Sequence, residues 1–365
     1  MKKSLLAAAL ISMGALSPHT ALADITVAIA GPMSGQYASA GDQIRRGATM
    51  ALADINGRGG VLGERVRLEV GDDACDPKQA VSVANTMVNK NIAFMHGHWC
   101  SSSTIPASDV YAESDILVAT VSTNPQVTAR GLPNVFRIMG SDDQQGSIAG
   151  GYVAKHFQGK KVAVVDDKSA YGKGLADEMA KGMQAGGLEP TLRESITAGE
   201  KDYSGLINKM KQAGVEVMAY GGYHTEVALL LRQAEAAGLK LTVMGGDTMT
   251  NAELVTAAGP AADQVFFTFS PDARKNPDAA SVVESFRTAG IEPEGYVLYA
   301  YAAMELFEQV ATAAKSTEYA AMEKVMRNGK FNTVIGELSF DDKGNLAVPG
   351  FVVYRWQGGQ YDYAQ

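Results

Sequence analysis

The chain has 365 residues with 40 acidic against 32 basic side chains, a formal net charge of −8 at pH 7. An acidic surface repels phosphate backbones, and no Lys/Arg cluster reverses this locally, so nucleic acid is excluded as a partner. At this length one hydrophobic core does not suffice, and two domains are expected.

The N-terminus reads Met1-Lys2-Lys3, then an apolar run over residues 5–16, then Ala21-Leu22-Ala23 before Asp24. That is the layout of a secretory signal peptide cleaved after Ala23. The run falls short of the roughly 20 residues a membrane span needs, so the mature chain is expected to be soluble. Losing two lysines with the leader takes the net charge from −8 to −10. Cys75 and Cys100 are the only cysteines. In an exported protein an even pair reads as one disulfide, with two free buried thiols as the alternative. Closing that loop contributes roughly 3–4 kcal/mol on the chain-entropy account.

From Asp24 onward, short Val/Ile-rich runs alternate with helical patterns. Strands are expected at 25–30, 65–70, 92–96, 116–121, 161–165, 190–196, 215–220, 241–244 and 264–269, which predicts parallel sheets flanked by helices. Ile44, Ala48, Ala51, Leu52 and Ile55 recur at helical spacing, and Asn56-Gly57-Arg58-Gly59-Gly60 stops that helix. A helix over 227–238 repeats the design with Val227, Leu230, Leu231 and Ala234 on one face and Gly238 as its stop. Helices at 277–289 and 296–314 and strands at 336–340 and 351–356 are too little for a third domain and are expected to complete the first two. The fold class predicted is α/β, two doubly wound parallel-sheet lobes in tandem. Discontinuous lobes need several crossovers, which is how a hinge is built.

Ligands of open α/β sheets bind beyond the carboxyl ends of the strands. The loop after the third strand, Gly97-His98-Trp99-Cys100-Ser101-Ser102-Ser103-Thr104, puts hydroxyls at a helix start, where free N–H groups and the Ser101 hydroxyl suit a carboxylate. Plain capping is the alternative. Thr120-Val121-Ser122-Thr123-Asn124 offers more donors at the next strand end. The second half offers Tyr171, Tyr223 and Asp247, suited to an ammonium group, with Asp247 as a turn acid the alternative.

Four blocks then carry a resemblance: Asp72-Asp73-Ala74-Cys75-Asp76-Pro77-Lys78-Gln79-Ala80, Cys100-Ser101-Ser102-Ser103-Thr104, Ile196-Thr197-Ala198-Gly199-Glu200-Lys201-Asp202 and Tyr220-Gly221-Gly222-Tyr223-His224. With them essentially the whole mature chain resembles the leucine/isoleucine/valine-binding proteins of bacterial ABC transporters. The resemblance implies a type I periplasmic binding-protein fold, a three-strand hinge, a Cys75–Cys100 disulfide, and closure of two lobes around an amino acid. It places lobes at 24–141 plus 271–349 and at 142–270 plus 350–365. Carried over, carboxylate binding falls on Ser101, Ser122 and Thr123, and ammonium binding on Tyr171, Tyr223 and Asp247. Tyr296 forms a further wall, or is a core aromatic. The sequence departs from the family in three places. Asp247 replaces a glutamate, Trp99 replaces a leucine, and Ala40 aligns with a pocket tyrosine, so that Tyr37 is expected to enter instead. A shorter acid and a larger indole imply smaller ligands: alanine, valine, threonine or a short ω-amino acid.

The expected protein is thus a monomeric periplasmic carrier of a neutral aliphatic amino acid that serves an inner-membrane permease. A sensor or regulator of the same fold, for amino acids, amides or a short ω-amino acid, is the alternative. The chain reaches Gln365 without a membrane helix or signalling domain, which favours the carrier. Catalysis is not expected. Ser34 lacks nucleophile-elbow spacing, and Asp177 breaks the dinucleotide fingerprint begun by Gly172 and Gly174. His96, His98 and Cys100 have metal-ligand spacing, but a disulfide removes the thiol. The 16 methionines are scattered and read as core fillers. No cofactor is implied.

Overall fold

The computed structural model describes residues 24–364, Pro349 excepted, so the signal-peptide reading of residues 1–23 lies outside the described residues. Strands β1 (Ile25–Gly31), β2 (Val66–Asp72), β3 (Phe94–His96), β4 (Leu117–Thr120) and β5 (Val135–Arg137) form a parallel sheet in the order β2-β1-β3-β4-β5. The second sheet contains β6 (Val162–Asp166), β7 (Leu192–Ser195), β8 (Val217–Gly221), β9 (Thr242–Gly245) and β10 (Val265–Phe269). Its order, β7-β6-β8-β9-β10, repeats the first, and it is extended by antiparallel β13 (Val352–Gln357) and β14 (Gln360–Tyr363). These are two doubly wound lobes of one design. Central strands such as β4, β6 and β8 are buried at every residue, whereas β7 at the sheet edge alternates between half-buried and exposed.

The Ala38–Gly57 helix buries Ile44, Ala48, Ala51, Leu52 and Ile55, the stripe read from the sequence. Against it packs the Val297–Ala314 helix, so close at Gly47 that a Cβ there would lie 2.1 Å from the Val297 carbonyl oxygen. The chain therefore passes between the two sheets three times: after β5, after β10 and before β13. The second repeated helix spans His224–Ala236, opening three residues earlier than expected, and Gly238 follows it with φ +69°.

Some expectations fail. Strand β5 was not foreseen, because Val135-Phe136-Arg137 is too short to show a period. The strand expected at 336–340 completes neither large sheet. It forms β12 (Gly336–Leu338), which pairs with β11 (Phe331–Thr333) in a separate hairpin closed by the Thr333 hydroxyl donating to the Gly336 carbonyl at 2.8 Å. The 277–289 helix opens as a 3-10 turn, Pro277–Ala279, before the α-helix Ala280–Thr288. Among the described residues, no helix is long and apolar enough to cross a membrane.

Candidate ligand-binding site

The carboxyl ends of the two sheets face each other, and hydrogen bonds cross between them. Asn124 Nδ2 donates to the Ala170 carbonyl at 2.7 Å, Ser39 Oγ to Glu253 at 2.6 Å, and Asn251 Nδ2 to Ser39 Oγ at 2.8 Å. Between the sheets lies a small, nearly filled cavity lined by Trp99, Ser101, Val121, Thr123, Tyr171, Tyr223, Asp247 and Thr248. A roomier groove between Leu231, Leu239 and Pro260 opens at the amino ends of β9 and β10, away from the loops that gather polar groups.

One end of the cavity is the start of the Ser101–Glu113 helix. Its N-cap is Cys100, which offers no side-chain cap, so the first-turn amides of Ser101 and Ser102 have no intrahelical acceptor. This end is firmly held. Cys100 is disulfide-bonded to Cys75, and the buried His98 ring sits between Asp73 Oδ2 and the Tyr111 hydroxyl. The Ser122 hydroxyl is turned into this loop, 3.0 and 2.9 Å from the carbonyl oxygens of His98 and Trp99 and 2.6 Å from Thr104 Oγ1. It does not line the cavity. Its neighbours Val121 and Thr123 do, as the two-residue alternation of extended backbone requires. His96 Nδ1 is 2.9 Å from the Ala119 carbonyl, and burial pulls the ring down to about 4. Among the described residues no group of three or more His, Cys, Asp or Glu is arranged to hold a metal.

At the other end is Asp247, buried, accepting hydrogen bonds from the Tyr171 hydroxyl at 2.9 Å, from Gln145 Nε2 at 3.1 Å, and from the Tyr296 hydroxyl. Gly246 permits this closeness, since a Cβ there would lie 2.4 Å from the Tyr171 hydroxyl. Burial raises the Asp247 carboxyl above its ordinary range, against the three hydrogen bonds, which lower it. Aromatic rings form the walls. Trp99 meets Tyr296 edge-on at 5.4 Å and Tyr223 at 5.3 Å, and Tyr37 packs on Tyr223 at 4.4 Å with its hydroxyl 3.4 Å from Glu226. Tyr37 has thus entered the region from the Ala38–Gly57 helix start. Seven of the eight residues singled out from the sequence gather here, Tyr296 through its bond to Asp247 and its ring contact with Trp99 rather than on the cavity wall.

Sequence reading missed Val121, Thr248, Gln145 and Asp142. Asp142 opens the Asp142–His156 helix, its amide donating to the Thr123 carbonyl at 2.8 Å, and both its carboxylate oxygens are buried without a partner. Burial, then the charge of Asp247, raise this carboxyl well above its ordinary range, and the charge of Arg137 opposes them. A carboxyl raised on folding keeps its proton in the folded state at pH values where the unfolded chain has released it. Its cost to stability therefore appears as pH rises from the unfolded carboxylate range through the raised value. Asp142→Asn is expected to melt about 2–4 °C higher than the parent at pH 7.5 and to show a shallower fall in melting temperature between pH 5 and 8. A variant that melts lower at pH 7.5 shows instead that the charge is needed there.

A profile of the family described as periplasmic binding protein matches residues 24–360. The chain is 46% identical over 370 residues to the Leu/Ile/Val-binding protein homolog 1 of Brucella melitensis, covering all of both chains. It is 45% identical to an amino acid binding protein of Pseudomonas aeruginosa, over 99% of this chain and 97% of that one. Its fold matches the branched-chain amino acid transporter substrate binding protein LivJ of Streptococcus pneumoniae, solved in complex with isoleucine, with a TM-score of 0.84. That match covers 93% of this chain and 98% of the other at 24% identity, which shows the shared fold.

Proposed function

Since the chain belongs to the periplasmic binding protein family, we propose that it is a non-enzymatic periplasmic carrier that captures a small neutral amino acid by lobe closure and delivers it to an ABC transporter permease. The lobes divide at the three chain passages, near 141, 270 and 349. The observation that carries the reading is a small cavity between the sheets with free helix amides at one end and a buried carboxylate at the other. A zwitterion suits both ends. Its carboxylate meets the amides of Ser101 and Ser102 and the Thr123 hydroxyl; its ammonium meets Asp247 and the ring of Tyr171. Lobe closure follows because neither lobe alone supplies both ends.

Walls of Trp99 and Tyr223, the latter backed by Tyr37, leave little room for a side chain, so the ligand is alanine, valine, threonine or a short ω-amino acid rather than leucine. The test is to denature the protein, strip carried-over ligand, refold it with the disulfide intact, and titrate the twenty amino acids and γ-aminobutyrate by calorimetry. One of the small ligands is expected at micromolar affinity or better. Leucine binding at least tenfold tighter than all of them refutes the size argument, and no binding by a cooperatively melting protein refutes the amino-acid assignment.

Trp99 sets that size limit. Trp99→Leu is expected to raise leucine affinity relative to alanine by about tenfold, the discrimination that one or two methylenes confer in an apolar pocket. An unchanged ratio places the size filter elsewhere.

A further inference from the structure

Outside the cavity a separate set of contacts joins the lobes. Ser39, in the first turn of the Ala38–Gly57 helix, belongs to the first lobe, whereas Asn251, Glu253 and His224 belong to the second. The Ser39 hydroxyl donates to Glu253 Oε2 at 2.6 Å and accepts from Asn251 Nδ2 at 2.8 Å, so its donor and acceptor roles are both filled from the opposite lobe. The second lobe braces its side of the contact. Asn251 Oδ1 accepts from the Glu253 amide at 2.9 Å, and His224 Nε2 lies 3.2 Å from the same Glu253 Oε2 that Ser39 reaches. His224 is buried and its Nδ1 has no partner, which assigns the ring proton to Nε2 and makes it the donor. The His224 bond is the largest influence on the Glu253 carboxyl and holds it below its ordinary range, with burial opposing and Ser39 adding to the effect. Glu253 is therefore ionised at neutral pH, and its bond from Ser39 is charge-assisted.

None of these four residues lines the cavity. The bonds to Ser39 exist only while the lobes are together, so they favour the closed form whatever it holds. Free energy that favours closure without touching the ligand raises the affinity for every ligand by the same factor, because each ligand must draw on the same closure. A wall residue acts differently, since its contacts change from one ligand side chain to the next and so change the ratios between ligands.

We propose that Ser39, gripped by Asn251 and by the His224-braced Glu253, is a latch that sets the lifetime of the closed form and hence the affinity for all ligands alike, while the cavity walls set the choice among them. This rests on the carrier reading above. Alanine, valine and threonine are titrated by calorimetry into the parent, Ser39→Ala and Ser39→Thr, and their release is followed by stopped-flow tryptophan fluorescence. Ser39→Ala is expected to weaken all three by about five- to tenfold, the worth of one net hydrogen bond, and by factors within about twofold of one another. The loss is expected in the dissociation rate, where affinity changes between related complexes mostly lie. Ser39→Thr keeps the hydroxyl and is expected to stay within about twofold of the parent. Weakening below about threefold in Ser39→Ala, weakening that differs by more than about threefold among the three ligands, or an equal loss in Ser39→Thr overturns the latch. If alanine, valine and threonine all fail to bind the parent, the carrier reading fails first and takes this one with it.

Discussion

Asp247→Asn is expected to weaken ligand binding by a hundredfold or more while leaving the empty protein at least as stable as the parent. The amide keeps the shape of the carboxylate: its oxygen can still accept from Tyr171 and Gln145, while its NH2, in place of Oδ2, donates to the Tyr296 hydroxyl. It cannot neutralise an ammonium group. Removing one partner of a buried, hydrogen-bonded charge pair costs about 2–5 kcal/mol, and a hundredfold lies inside that range. Stability moves the other way. Burial raises the Asp247 carboxyl, so its ionised form weighs against folding at pH values above the raised value. The variant sheds that cost. Calorimetric titration and thermal melting without ligand check the two halves separately. A change in affinity under fivefold shows that the ammonium is held elsewhere, and a large drop in melting temperature shows a structural acid.

The architecture was legible because its signals are local. Alternating strands and helices, the stripe from Ile44 to Ile55, and the glycine stops each lie within a few residues of one another, and the repeat matches the common strand order of the two sheets, which only the structure supplies. The site was legible only as far as the rule that ligands bind at strand ends. It pointed to loops that line the cavity, but it did not say which side chain of a loop turns inward. Ser122 and Thr123 are equivalent as letters, yet extended backbone sends them to opposite sides, and Ser122 serves the loop. Asp142 and Gln145 gave no signal at all. Their importance comes from Asp247, more than a hundred residues later in the chain, and from burial that no local pattern reveals.

Arg137, the last residue of β5, shows how a side chain outside the cavity governs its shape, and Arg137→Met is expected to destabilise the protein by about 3–5 kcal/mol, the cost of removing one partner from a buried charged network. Its guanidinium is almost fully buried. Nη1 donates to the carbonyl oxygens of Thr123 at 2.7 Å and Asn124 at 2.9 Å, and Nη2 to Thr128 Oγ1 at 2.7 Å and Asn345 Oδ1 at 2.6 Å. Burial pulls the group down only to about 10, so it stays charged at neutral pH. Methionine fills much of the volume but satisfies none of those oxygens. The Thr123 and Asn124 carbonyls then lose the donor that fixes the turn, and with it the position from which Thr123 faces the cleft and Asn124 reaches Ala170 in the opposite lobe. Denaturant unfolding should give the stability loss, and titration of the folded variant a weaker affinity that arises from a loosened loop. A loss below about 1 kcal/mol would mean that water replaces the guanidinium at no great cost, and that the turn is held by the backbone bond from Asp142 to Thr123 instead.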